Sequence, residues 1–192
     1  MELLEAYRRG LAEFTGRVAM IGYDQWAAPT PCAGWDVRAL VNHVVAEDRW
    51  AVPLFAGSTI PEVGDRFAGD LLGADPLAAA REAASQAAEA VAEPGALDRT
   101  VQLSVGPTPA REYLHQLLAE HLVHGWDLAV AIGADPRLDP GAVHQCARWF
   151  ADQQASYRAA GLIATGVPVP ADADEQDRLL VAFGRDPAWQ AD

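Results

Sequence analysis

Residues 108–132 read TPAREYLHQLLAEHLVHGWDLAVAI, and this stretch decides the fold. Thr108-Pro109 is a cap residue followed by proline, a combination that opens helices because proline has no N–H to leave unpaired in the first turn. Tyr113, Leu114, Leu117 and Leu128 then fall on one face at helical spacing. Gly133 offers a stop, so the spacing predicts the longest helix of the chain, ending near Ile132.

Working outward, the same grammar repeats. Leu3, Leu4, Tyr7, Leu11, Phe14, Val18 and Ile21 recur every three or four positions and predict a first helix over residues 2–21. Residues 27–34 hold two prolines and a glycine, and Asp36 caps a second helix from Val37 to Trp50 or slightly beyond. Prolines and glycines break residues 53–74 into a long connection with room for one short turn, the kind of segment that often lines sites. Asp75-Pro76 starts an alanine-rich helix to about Ala92, and Asp139-Pro140 starts another that ends at Gly161. Thr100 to Val105 alternates with a period of two, fitting a short strand or extended loop too isolated for a sheet. Residues 165–174 are proline- and acid-rich, and one further short helix is expected over 175–183. The expectation is an all-α, single-domain bundle over residues 1–192, with 165–192 as an extended tail carrying the short helix.

Composition narrows the function classes. With 27 acidic against 14 basic side chains the net charge is −13, and the pI is about 4.6. Nucleic-acid binding needs a concentrated basic surface, so it is not expected, nor is an anionic membrane surface. Apolar residues at 51% and charged ones at 21% fit a globular domain that folds alone. Charged and polar residues interrupt each long apolar run, so no spanning helix is predicted. Cys32 and Cys146 match no zinc or redox spacing, nothing at the N-terminus reads as a signal peptide, and the cytoplasm is the expected compartment.

Three of the five histidines, His115, His121 and His124, share the long helix, with His43 on the second and His144 on the fifth. Glu120 and His124 are four apart, about 40° around a helix and one turn along, so a carboxylate and an imidazole meet at one point. His43 lies among Leu40, Val41, Val44 and Val45, where a core-facing imidazole must find a partner, and it can serve as a third ligand. Two histidines and a glutamate are a ligand set of catalytic zinc, which keeps a position open. Spacing alone leaves two rivals: a surface salt bridge, and a ligand pair formed by His121 and His124, because His121 points nearer the middle of the apolar face. His115 and His144 read as structural or surface residues, and Cys32 and Cys146 as packing residues, with a reactive thiol as the alternative for Cys32, which follows a proline in a loop ahead of a helix start. The tryptophans Trp35, Trp50, Trp126 and Trp149 read as core, with one or two bordering a pocket. Asp127 either orients a histidine or faces solvent.

Three segments carry a resemblance: Thr30-Pro-Cys-Ala-Gly-Trp-Asp-Val-Arg-Ala-Leu-Val-Asn-His43, Val123-His124-Gly-Trp-Asp-Leu-Ala, and Pro170-Ala-Asp-Ala-Asp-Glu-Gln-Asp-Arg-Leu-Leu. Together they resemble the DinB-like superfamily, and within it the actinobacterial metal-binding branch similar to the N-terminal domain of mycothiol-dependent maleylpyruvate isomerase. The resemblance covers nearly the whole chain. It implies a four-helix bundle with up-down-down-up connectivity and a divalent metal, zinc or alternatively nickel, on His43, Glu120 and His124 rather than on His121. It also implies a low-molecular-weight thiol such as mycothiol as cosubstrate, attacking a small electrophile. The isomerase has a further C-terminal domain that contributes to its active site, so isomerisation of maleylpyruvate is not expected of 192 residues. A metal-dependent thiol transferase or isomerase-like enzyme is therefore the leading expectation. A metal-containing bundle that binds a small ligand without turnover, or one that the metal merely stiffens, is the contrast. Bundles of this kind commonly form homodimers, although no exposed stripe in the sequence requires one.

Overall fold

The computed structural model describes residues 1–159, 161, 163, 167–169 and 171–190. Helix α1 (Leu3–Val18) buries Leu3, Tyr7, Leu11, Phe14 and Val18, the stripe expected from their spacing. Helix α2 (Val37–Phe55) starts where Asp36 accepts a hydrogen bond from the Ala39 N–H at 2.8 Å. It runs through Pro53, beyond the expected end, because a proline in the last turn removes only one intrahelical bond. A one-turn helix, α3 (Ile60–Val63), interrupts the long connection, closed by a reciprocal cap between Thr59 and Glu62. Helix α4 (Pro76–Ala92) buries Ala80, Ala83 and Ala87, whose small side chains let it lie close to α2.

One expectation fails between residues 100 and 110. Strand β1 (Thr100–Leu103) is not isolated: it pairs antiparallel with β2 (Gly106–Pro109) around a two-residue turn, with Val101 opposite Thr108. Gly106, at φ +107°, supplies backbone freedom that a side chain would resist. The Thr108-Pro109 pair therefore ends a strand, and Pro109 stands at the N-cap of the next helix with no side-chain cap bond. The Thr108 hydroxyl donates to the Gly106 carbonyl, and α5 (Ala110–Ile132) begins one residue later than expected.

Helix α5 is buried on nearly all sides from Leu117 to Asp127. It packs against both α1 and α2, while α4 packs against the same two helices from the other side, so α1, α2, α4 and α5 form a four-helix ring. At the crossing of α1 and α5, Gly10 faces His121 so closely that a Cβ there would lie 3.3 Å from the His121 Cβ. Helix α6 (Pro140–Ala159), capped by Asp139, flanks α1 and α5, and α7 (Glu175–Ala182) packs on α6. The expected end of α6 at Gly161 and the stretch 165–174 fall partly outside the described residues. No helix among the described residues is long and apolar enough to cross a membrane.

The core has two apolar clusters. One gathers Tyr7, Leu54, Phe55, Leu114, Leu118 and Leu122; the other gathers Phe14, Leu40, Val41, Val44 and Leu128. His121 joins them, its ring edge-on to Tyr7 at 5.5 Å and to Phe14 at 6.0 Å.

Candidate metal centre

Helices α2 and α5 face each other with His43 on one and Glu120 and His124 on the other. The Glu120 Oε2 lies 3.0 Å from the Nε2 of His43 and 3.0 Å from the Nε2 of His124. The two imidazole rings stand 5.1 Å apart, nearly perpendicular. One ligand atom from each residue falls within 4.8 Å of the others.

The orientation of His124 comes from below. Its Nδ1 meets the Oδ2 of fully buried Asp127 at 3.0 Å. Arg185, from the turn after α7, donates to both Asp127 oxygens at 2.9 to 3.1 Å. Asp127 thus orients a histidine and does not face solvent. Cys32 also belongs here, contrary to the packing role expected for it: its Sγ lies 3.0 Å from Arg185 Nη2, 3.7 Å from Asp127 and 4.0 Å from His124. The loop before α2 brings it in, pinned where the Thr30 hydroxyl donates to the Trp35 carbonyl. The same loop lays the Trp35 ring over His43 and His124 at 4.8 and 5.8 Å, so one of the tryptophans does border the site.

Charges within the cluster reinforce each other. Burial pushes the Glu120 carboxyl up, but the hydrogen bonds and charges of His124 and His43 outweigh it and hold Glu120 well below the usual carboxylate range. Burial pushes His124 down, yet its bonds to Asp127, Cys32 and Glu120 hold it well above the ordinary imidazole value. Burial likewise raises Asp127 less than His124 and Arg185 lower it. On α2, burial and then the Glu120 charge push Glu47 up.

This donor set fits a divalent cation. With the His124 Nδ1–H donated to Asp127, its Nε2 lone pair points at a carboxylate oxygen 3.0 Å away, and two acceptors so close require positive charge between them. That charge is a proton on the imidazole or a metal ion shared by all three side chains. Ion-to-ligand bonds of about 2.0–2.2 Å set donor atoms roughly 3–4 Å apart, so only small side-chain shifts are needed. A second group, Cys32, His124 and Asp127, is also close enough to ligate. There the Arg185 guanidinium already lies against the sulfur and the carboxylate, and it would repel a cation.

His121, the rival ligand, lies outside this group. Its Nδ1 donates to the Leu117 carbonyl at 2.6 Å, and its Nε2 faces Asp48 of α2 at 3.1 Å without hydrogen-bond alignment, so charge is what holds the pair. The middle of the apolar face of α5 is packed against α1, which places His121 in the core while Glu120 and His124 reach the α2 side. His115 stacks on Trp149, His144 pairs with Glu175 at the surface, and Cys146 is buried in the core, as expected of structural residues. Within the connection over residues 53–74, residues 69–71 bond back to α2, through Arg38 to Asp70 and Asn42 to Gly69 and Leu71, while Leu54 and Ile60 line a cavity beside Glu47.

A family model described as the mycothiol maleylpyruvate isomerase N-terminal domain matches residues 7–129, which include His43, Glu120 and His124. Two relatives from Mycobacterium tuberculosis, strains CDC 1551 / Oshkosh and ATCC 25618 / H37Rv, both called uncharacterized proteins, are each 31% identical over 192 residues. The alignment covers 96% of this chain and 98% of theirs. No solved structure matches.

Proposed function

Because the chain belongs to the DinB-like family of the mycothiol maleylpyruvate isomerase N-terminal domain, we propose that it is a metal-dependent thiol transferase or isomerase-like enzyme built on His43, Glu120 and His124. The observation that carries this reading is the convergence of three ligand atoms, one of them on a histidine oriented by a buried aspartate. A divalent ion held there, zinc or alternatively nickel, would leave an open position at which a low-molecular-weight thiol such as mycothiol is favoured as the thiolate.

The chain's own residues prepare that position. Asp127 keeps the proton of His124 on Nδ1 and its lone pair on Nε2, and Arg185 keeps Asp127 from turning. Trp35 covers the two imidazoles and keeps water from that side. No side chain need act as general base on the thiol, because its ionisation is supported by coordination itself.

The up-down-down-up connectivity implied by the resemblance is part of this reading. The long link between α2 and α4 supports it, since parallel neighbours need a connection that travels the length of the bundle. The whole chain is read as one domain, because Arg185 near its end reaches Asp127 in its middle.

Elemental analysis of the purified protein beside His43→Ala and His124→Ala tests the proposal. About one ion per chain, lost in both variants, is expected. No ion after reconstitution with zinc and nickel would sink it. Consumption of thiol in proportion to product then separates a transferase from a bundle that only binds.

A further inference from the structure

A cavity of about 250 Å³ lies between α2, α5 and the β1–β2 hairpin, walled by Glu47, Trp50, Leu54, Leu103, Tyr113 and Gln116. It continues the face that carries the metal cluster. Along α2, Glu47, Trp50 and Leu54 lie four, seven and eleven residues after His43; along α5, Gln116 and Tyr113 lie four and seven before Glu120. Residues at those intervals stack on one helix face, so both helices extend the cluster in the same direction into one cavity. Burial, and after it the charges of Glu47, Asp48 and Glu120, push the Tyr113 hydroxyl up, in keeping with its place on this wall beside Glu47.

The lining selects by charge. Glu47 is the one ionisable carboxylate on the wall, and no arginine lines the cavity among the described residues; the chain has no lysine at all. Arg185, near the cluster, is already committed to Asp127 and Cys32. An anion entering the cavity would lie against the Glu47 carboxyl with no arginine on the wall to pair with it, in surroundings of lowered dielectric. An N–H or O–H donor would instead meet the Glu47 carboxylate, while an apolar body lies on Trp50, Leu54 and Leu103. At about 250 Å³ the cavity falls just below the ~300 Å³ at which pockets for drug-sized ligands begin, which suits one ring with a short substituent.

We infer that this cavity is the acceptor pocket for an uncharged, largely apolar electrophile bearing a hydrogen-bond donor, and that Glu47 turns away carboxylates, the charge class of maleylpyruvate. The role of electrophile rests on the reading of the cluster as a thiol-bearing metal site; the selectivity of the pocket stands without it.

Equilibrium dialysis with cinnamamide and cinnamate, matched in shape and differing in charge, tests the inference. The titrations use wild type, Glu47→Gln and Gln116→Trp, each with and without one equivalent of zinc. Wild type should bind cinnamamide at least tenfold tighter than cinnamate. Glu47→Gln should bring the two within about threefold by removing the repulsion, and Gln116→Trp should weaken cinnamamide at least tenfold by filling the cavity. Binding without zinc keeps this result independent of whether the cluster takes a metal. Equal affinities, a preference for cinnamate, no binding of either probe, or no effect of Gln116→Trp overturns the inference.

Discussion

Arg185 grips Asp127 across 58 residues of sequence, with its Nε and Nη2 donating to separate carboxylate oxygens at 2.9 Å. Asp127 is fully buried, and a buried carboxylate is tolerated only when its oxygens are paired. Its other partner is His124, so an arginine beyond the last helix governs the aim of an imidazole on the central one. The tail is thereby tied to the site.

Removing that grip should loosen the site before it unfolds the bundle. Partners that orient a ligating histidine are worth about 10–100-fold in metal affinity. Arg185→Ala should lose zinc affinity within that range in a competition titration against a chromophoric chelator. Arg185→Lys should recover only part of it, since an ammonium cannot engage both oxygens in the same plane. Unchanged affinity in both variants would mean that Asp127 needs no anchor.

Much of this was readable from residues 108–132. The periodicity of α5 and the four-residue step from Glu120 to His124 follow from helix geometry alone. That His121 lies apart from His43, Glu120 and His124 follows from the packing of α1 on the middle of that face, which a helical wheel does not contain. The meeting of Arg185 with Cys32 carried no local signal, because it spans 153 residues. The hairpin was hidden by Thr108-Pro109, whose chemistry suits a helix start as well as a strand end. What the sequence left open was set by contacts between distant segments.

The two cysteines should react very differently. Cys32 is half-buried at the edge of the cluster with a guanidinium 3.0 Å from its sulfur. Cys146 is fully buried, and burial pushes its thiol up to about 12. Treatment of the native protein with iodoacetamide at pH 8 should label Cys32 and leave Cys146 untouched until denaturant is added, as read by peptide mass spectrometry. Equal labelling of both would contradict the packing around Cys146.

At Gly10, α1 lies close against α5 over His121 and Leu118. Alanine there gains about 1 kcal/mol of helix propensity but must press on the His121 Cβ 3.3 Å away, so Gly10→Ala should be close to neutral. Gly10→Leu has no such room and should cost about 1–3 kcal/mol in urea unfolding, with the larger part of the effect arising from displaced His121 and Leu118. A leucine accommodated without loss would show that the crossing is looser than these contacts imply.

The pair of His121 and Asp48 should give the bundle a pH-dependent stability. Burial pushes His121 down, but the Asp48 charge and the Leu117 carbonyl more than offset it, and its folded value lies above the ordinary one. A raised value means that the folded state holds this proton more tightly than the unfolded chain does. The contribution is then fully present below about pH 6.5, the unfolded value, and fades as pH rises through the raised folded value. Asp48→Ala leaves the imidazole buried without its counter-charge, a change that typically costs about 3–5 kcal/mol. The stability gap between wild type and Asp48→Ala, measured by urea unfolding, should therefore be large at pH 6 and shrink as pH rises through the raised folded value. A gap that stays constant across that range would mean that the two side chains contribute by packing and not by charge.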